Sequence, residues 1–165
     1  MILLASSLIA CKGKDDKAAG STPSPTAPSD PGPAPDKAPT APVQAAVDVC
    51  SFASRDLVEG VVGKLSEDPK PTPPQGSLLG GCDYSFEGGM LSISARPASE
   101  YDATVKAYAG ADVAGVGEKA HASEKAGLFV QPAGKQYFLH ILGGGAGIDD
   151  AKKLEVAKAV TSGAK

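Results

Sequence analysis

The side chains that could carry chemistry in this sequence are three cysteines and two histidines. Cys11 follows a short apolar segment, whereas Cys50 and Cys82 lie farther along the chain and form an even pair. A thiol can be acylated, oxidised to a disulfide or bound to a metal, and a histidine can ligate a metal or transfer protons. The compartment of the protein and the elements around His121 and His140 decide between these chemistries.

Cys11 stands at the end of an apolar segment that is typical of a secretory signal. The segment 1–10 is too short for a membrane-spanning helix, which needs about 20 residues, and it suits the apolar core of a signal peptide. It ends in Leu8-Ile9-Ala10-Cys11, which resembles the lipobox of bacterial lipoprotein signal peptides. The resemblance implies cleavage before Cys11 and diacylation of its thiol. The alternative is a buried apolar N-terminal strand with an incidental cysteine.

The flanks of this segment bear on localisation. Signal peptides normally open with positive charge, and no Lys or Arg precedes the apolar residues, which indicates a truncated signal or a mis-chosen start codon. Two acyl chains attach a protein stably to a bilayer, so the predicted partner of Cys11 is a membrane. Lys12 stands where some two-membrane bacteria use aspartate to retain lipoproteins in the inner membrane. We therefore expect a cell-envelope protein on the outer membrane or cell surface, facing the periplasm or exterior.

A proline-rich linker is predicted over residues 11–46. Eight of the 14 prolines fall between Pro23 and Pro42, and their neighbours are mostly Ala, Ser, Thr, Asp and Lys. Such a segment cannot bury enough apolar surface to offset its ordering entropy. We expect a disordered tether with local polyproline II character. A proline-rich ligand for a partner module is the alternative, but no clear Pro-x-x-Pro with a flanking basic anchor supports it.

The two remaining cysteines are predicted to form a disulfide. An exported lipoprotein enters an oxidising compartment, where disulfides persist, so Cys50 and Cys82 should be bridged. The alternatives are two buried thiols or two metal ligands. Zinc would need further ligands, and His121 and His140 lie in unrelated segments far along the chain.

Three segments have the apolar spacing of amphipathic helices. The first follows Ser54 as its N-cap and is ended by Pro69. The second opens at Ser99-Glu100-Tyr101-Asp102, a capping-box pattern. The third runs from 150 to about 161, with Asp149 as its cap. The residues expected on the inner face of the third helix are Ala151, Leu154, Ala157 and Val160.

Five segments are predicted to be strands because apolar and polar residues alternate in them or because they flank tight turns. Residues 70–81, rich in Pro and Gly, are predicted to be loop. The order of elements predicts an α+β domain over 47–165, with one antiparallel sheet of about five strands and three helices packed on it. The predicted strands are 82–86, 90–96, 119–123, 128–131 and 136–142, with turns at Glu87-Gly88-Gly89 and Pro132-Ala133-Gly134.

Three short motifs resemble a family of small exported bacterial lipoproteins of unknown function with paired cysteines. They are Cys50-Ser51-Phe52-Ala53-Ser54, Gly81-Cys82-Asp83-Tyr84 and the segment 113–120. The resemblance covers most of residues 49–160. It implies a disulfide-pinned α+β domain on a lipid anchor, and it implies no activity. The sequence departs from the pattern at Ala53 and Leu57, where that family has a large apolar residue and an acidic one.

No motif predicts a catalytic residue, a cofactor or a metal site. The glycine run 143–147 precedes a helix, but Ile148 breaks the Gly-x-Gly-x-x-Gly spacing and no Lys-Ser/Thr follows. Asp149 and Asp150 would also repel a phosphate, so we interpret the run as a flexible strand-to-helix connection. His140 should lie on the strand face opposite Leu139, either partly exposed or beneath a helix. Charged pairs such as Glu118 and Lys119 are expected to be solvated.

Three classes of function remain open from these features. The first is a non-catalytic binding module for a small molecule, a glycan or an envelope protein, which predicts an apolar pocket or patch. The second is a structural or assembly accessory of the envelope, which predicts a polar surface. The third is an enzyme, which would need a histidine, an acid and a nucleophile in one cleft. The formal net charge of −3 argues against nucleic acid as a partner.

Overall fold

The alternating segments of the sequence pair into one antiparallel sheet. The structure is a computed structural model and describes residues 45–163; Cys11, the lipobox and nearly all of the predicted tether lie outside the described residues. Strand order across the sheet is β1-β2-β3-β7-β6-β5-β4. The strands are β1 Lys70–Thr72, β2 Gly80–Phe86, β3 Gly89–Pro97, β4 Ala111–Asp112, β5 Lys119–Ser123, β6 Gly127–Gln131 and β7 Tyr137–Gly145.

Two meanders make up this sheet and join at its centre. Strands β1 to β3 pair in succession, as do strands β4 to β7. The junction is the β3–β7 pair, in register from Gly89 opposite Gly145 to Pro97 opposite Tyr137. The centre of the domain is therefore a long-range pairing between segments far apart in the chain.

Four helices flank the sheet in the described part of the chain, and two of them begin at the side-chain caps that the sequence predicts. They are α1 Val49–Phe52, α2 Arg55–Val62, α3 Tyr101–Ala107 and α4 Asp150–Gly163. Ser54 caps α2 by accepting from the Leu57 N–H, and Asp149 Oδ1 accepts from the Lys152 N–H at 2.8 Å. Both predicted caps are confirmed.

The predicted capping box at Ser99 is wrong. Ser99 lies within a 3₁₀ turn, Ala98–Glu100, and no side chain caps that turn or α3. The reason is that the chain turns directly off the end of β3. The Ala98 N–H donates to the Gln136 carbonyl at 3.0 Å, so backbone pairing holds the start of the turn.

The two faces of the sheet are covered differently. On the main core face, Val49, Val58 and Val156 bring α1, α2 and α4 against buried strand residues. On the opposite side, the α3 face, Tyr101 of α3 packs with the aromatic side chains of β6 and β7. The helices therefore divide between both faces instead of sharing one. The buried strand residues of the main core face are Cys82, Tyr84, Phe86, Leu91, Ile93, Ala95, Ala120, Leu128, Val130, Leu139 and Ile141.

Within residues 45–163 the sheet has seven strands and is flanked by four helices, against the five strands and three helices predicted. Strand β1 lies in the segment 70–81 that was predicted to be loop. That prediction was made because prolines such as Pro71 usually interrupt strands. Proline is tolerated there since β1 is an edge strand. Strand β4 has two residues and α1 has four. These segments are too short to show the apolar repeat of a strand, every two residues, or of a helix, every three to four residues.

Helix α4 buries two of its four predicted inner-face residues, Ala157 and Val160. Its buried residues are Lys153, Val156, Ala157 and Val160, whereas Ala151 is exposed and Leu154 is half-buried. A charged side chain is seldom buried, so the apolar pattern alone does not place Lys153 on the inner face. The Lys153 ammonium reaches Asp150, so its aliphatic stem can be buried while the charge stays at the surface.

Candidate functional site

An apolar cavity of about 250 Å³ lies between the first turns of α4 and the strands β5 and β6. We call it the α4 cavity. It is partly open to solvent, and its walls are almost entirely apolar. The side chains that form these walls are Val113, Ala122, Leu128, Ala151 and Leu154.

Small residues leave this space unfilled. Ala122 of β5 and Ala151 of α4 present only a methyl group to the cavity, and Gly127 presents none. Gly127 has φ +80°, and a Cβ there would collide with the Ile141 carbonyl oxygen. The turn between β5 and β6 therefore requires glycine at this point, and no larger side chain can grow from it to fill the cavity.

One ion pair stands at the rim of the α4 cavity. Lys153 Nζ lies 2.7 Å from Asp150 Oδ1, and the two side chains are 11% and 75% exposed. The buried methylene stem of Lys153 forms part of the wall, and its ammonium ends beside the exposed carboxylate. Because the two charges offset each other, the rim carries no net charge from this pair.

His121 forms a dyad with an aspartate at the sheet edge. Its Nδ1 lies 3.0 Å from Asp112 Oδ1, and the two residues are directly opposite in the β4–β5 pair. Its Nε2 is buried and has no partner within the described part of the chain. A Cβ at Gly110 would lie only 2.6 Å from this nitrogen, so residue 110 packs closely beside the ring, and burial keeps the nitrogen out of contact with solvent. The geometry supports a structural dyad.

His140 is a packed ring on the α3 face, opposite Leu139 as predicted. It stacks on Phe129 with ring centroids 4.6 Å apart. Its Nε2 lies 2.6 Å from the Ala126 carbonyl oxygen, so the neutral ring carries its proton on Nε2. Burial lowers the pKa of His140, and the positive charge of Arg96 acts in the same direction. The two histidines lie on the strands that flank β6, in the same cross-strand row as Phe129, which lies between them.

A disulfide joins Cys50 and Cys82, with Cα atoms 5.2 Å apart. It fastens α1 to β2, and Cys82 is fully buried beneath it. The predicted bridge is confirmed, and the alternatives of free thiols and thiolate ligands are excluded. Across residues 45–163, no cluster of three or more His, Cys, Asp or Glu side chains could hold a metal ion.

The first three glycines of the run 143–147 belong to strand β7, whereas the run was predicted to be a flexible connection between a strand and a helix. Gly143, Gly144 and Gly145 continue β7 and pair with the start of β3. A Cβ at Gly143 would collide with the Ile148 side chain, so the missing side chain lets Ile148 pack across β7. Sequence reasoning missed this because a phosphate cradle and a flexible link were the only roles weighed for such a run.

Part of the α3 face is not covered by α3. Ser85, Ser92 and Ser94 are half-buried there, and Met90 and Leu142 are 54% and 45% exposed. Leu142 lies opposite Ser92 in the β3–β7 pair. This open surface combines half-buried serines with two exposed apolar side chains, Met90 and Leu142.

No family model, curated protein or solved structure matches this chain. None of the helices among the described residues is long and apolar enough to cross a membrane.

Proposed function

We propose that this protein is a lipid-anchored extracytoplasmic binding module. Cys11 carries the lipid, residues 11–46 form the tether, and the α+β domain binds a small ligand in the α4 cavity. The membrane is the partner of the anchor, and the outer membrane or cell surface is the favoured location. No catalytic step or cofactor is part of the proposal.

The α4 cavity is the observation that carries the binding half of this proposal. The cavity holds about 250 Å³, is partly open to solvent and has walls that are almost entirely apolar. Concave apolar recesses of this kind are where small ligands bind. Water inside it finds few polar partners, so a ligand that displaces this water with apolar groups gains free energy.

Two features support the anchoring half. The Leu8-Ile9-Ala10-Cys11 segment has the lipobox pattern, and the Cys50–Cys82 bridge is of a kind that persists outside the reducing cytosol. The bridge uses both cysteines of the domain, which leaves Cys11 for acylation.

A structural accessory of the envelope is the second candidate. It is favoured by the uncovered part of the α3 face, where Met90 and Leu142 could contact another protein. On this alternative, the partner would occupy the open sheet surface and the α4 cavity would stay empty.

The anchor is tested by expressing the gene, with any upstream start restored, as wild type and as Cys11→Ser. We expect wild type in the membrane fraction, beginning at Cys11 with added acyl mass, and Cys11→Ser without that mass. Two further thiols should alkylate only after reduction. A soluble wild type that retains Met1 and has three free thiols would overturn the proposal.

The binding half is tested by protein-observed NMR of the soluble Cys11→Ser chain against a library of small fragments. Shifts should cluster at the first turn of α4 and at β5 and β6. If no fragment shifts these residues, the module has no small-molecule site there. If a co-purified envelope protein instead shifts Met90 and Leu142, the accessory role replaces the binding role.

A further inference from the structure

We infer that the α4 cavity binds a small neutral alcohol. The alkyl chain of this alcohol, about six carbons long, lies inside the cavity, and its hydroxyl lies at the rim. This inference rests on the proposed function, because it names the ligand class of the same site. It follows from three properties of the cavity: its volume, the chemistry of its walls and the charge at its rim.

Volume sets the size of the ligand. The cavity measures about 250 Å³, which is more than the roughly 150 Å³ that accommodates benzene in an engineered cavity. It is less than the roughly 300–1,000 Å³ of ordinary ligand pockets. The cavity itself therefore takes up a short chain or a single ring, and any larger part of a ligand would lie outside it in solvent.

The walls favour an alkyl group over water. A buried water needs two to four polar partners, and the interior presents Val113, Leu128 and Leu154 together with the stem of Lys153. The polar ends of Lys153 and Asp150 already bind each other at the rim. Apolar contact thus dominates, and each methylene added to a ligand should tighten binding about fourfold until the space is full.

The rim favours an uncharged head group. An anionic head would have to displace Asp150 from Lys153, and the carboxylate of Asp149 lies one residue away. A cationic head could contact the outer oxygen of Asp150 without breaking the ion pair, but that carboxylate is 75% exposed. A charge–charge contact there is worth little, and the ammonium would lose part of its hydration against the apolar walls. A hydroxyl can donate to the exposed Asp150 carboxylate while the ion pair stays intact. The structure therefore assigns the rim to a neutral hydroxyl.

The test is an NMR titration of the full Cys11→Ser chain with four matched probes: n-hexanol, n-butanol, hexanoate and hexylammonium. Hexanol should bind most tightly, with shifts at Ala151, Leu154 and Leu128. Butanol, two methylenes shorter, should bind about 15-fold more weakly. Hexanoate and hexylammonium should each bind at least threefold more weakly than hexanol.

Two α4 variants separate the cavity from nonspecific binding. Ala151→Leu fills the space from an exposed position and should abolish the hexanol shifts. Ala159→Leu makes the same change two turns along α4, away from the cavity, and should leave hexanol binding unchanged. Should Ala151→Leu fold poorly, Ala122→Val fills the cavity from β5 instead.

Several outcomes would overturn the inference. Equal or tighter binding of either charged probe would show that the rim does not select a neutral head. Hexanol binding that survives both cavity-filling variants would place it elsewhere. If other fragments shift the cavity residues but hexanol does not, the ligand class is wrong and the binding module stands. If nothing shifts them, both proposals fail.

Discussion

Removal of the disulfide gives the most quantitative test of how this domain is held together. The bridge joins residues 32 apart in sequence. The chain-entropy relation gives a loss of about 12–13 cal/mol/K of unfolded-state entropy for a loop of this length, or about 3.7 kcal/mol at 25 °C. Native proteins have only about 5–15 kcal/mol of stability in total. Replacing both Cys50 and Cys82 by alanine should therefore remove a large share of it.

We expect the bridge-free domain to fold, because other contacts hold the same segments together. Val49 and Ala53 remain buried on either side of Cys50, and the Val47 N–H donates to the Leu79 carbonyl at 2.8 Å. Alanine is chosen because Cys82 is fully buried, and a serine hydroxyl there would add a desolvation penalty. The loss should then reflect mainly the released loop.

Urea unfolding at 25 °C, followed by circular dichroism, measures this loss. We expect a decrease of about 3–4 kcal/mol in the free energy of unfolding, and a fall in melting temperature of about 15 °C. Wild type treated with reductant should unfold at about the same urea concentration as the double variant, and reductant should not affect the variant. A loss below about 1 kcal/mol would refute the loop-entropy reasoning.

Three smaller perturbations test other contacts. Tyr84→Phe removes the buried hydroxyl that donates to the Ala53 carbonyl, and should lower the free energy of unfolding in urea by about 1–3 kcal/mol. Burial lowers the pKa of His140 in the folded domain below its ordinary 6.5, so as pH falls the unfolded chain binds a proton at this residue before the folded chain does. The free energy of unfolding should therefore decrease as pH drops below about 6.5. Thermal melts at several pH values should show a smaller decrease for His140→Gln than for wild type. Gly127→Ala places a Cβ at φ +80° against a backbone carbonyl and should destabilise the domain by more than about 1 kcal/mol in urea. Gly144→Ala, with no atom within 4 Å of the new Cβ, is its control and should be nearly neutral.

Long periodic segments were predictable because their apolar pattern is set by one buried face. Leu91, Ile93 and Ala95 alternate with polar residues and form the buried side of β3. The cap at Ser54 was predictable for a similar reason, since it depends on residues within one turn. Strand β1 was not predictable, because Pro71 argues against a strand unless its edge position is known.

The candidate site was beyond the reach of sequence patterns. The α4 cavity depends on how α4 lies across β5 and β6, which no local period encodes. Lys153 shows the difficulty most clearly: its charge suggests a solvated position, yet pairing with Asp150 lets the stem line a wall. The disulfide was predictable without tertiary geometry. Once Cys11 is assigned to the lipid, two cysteines remain, and two cysteines of an exported domain are expected to be bridged.

The two outer strands of the sheet affect how copies of this domain behave at high concentration. A long unpaired strand offers its backbone as a template for another chain, and fibrillar aggregation often begins there. Here β1 has three residues with a proline in the middle, and β4 has only two. Neither border of the described sheet offers the run of free N–H and C=O groups that strand-to-strand growth requires. Many copies could therefore crowd together on one surface without polymerising through their sheets.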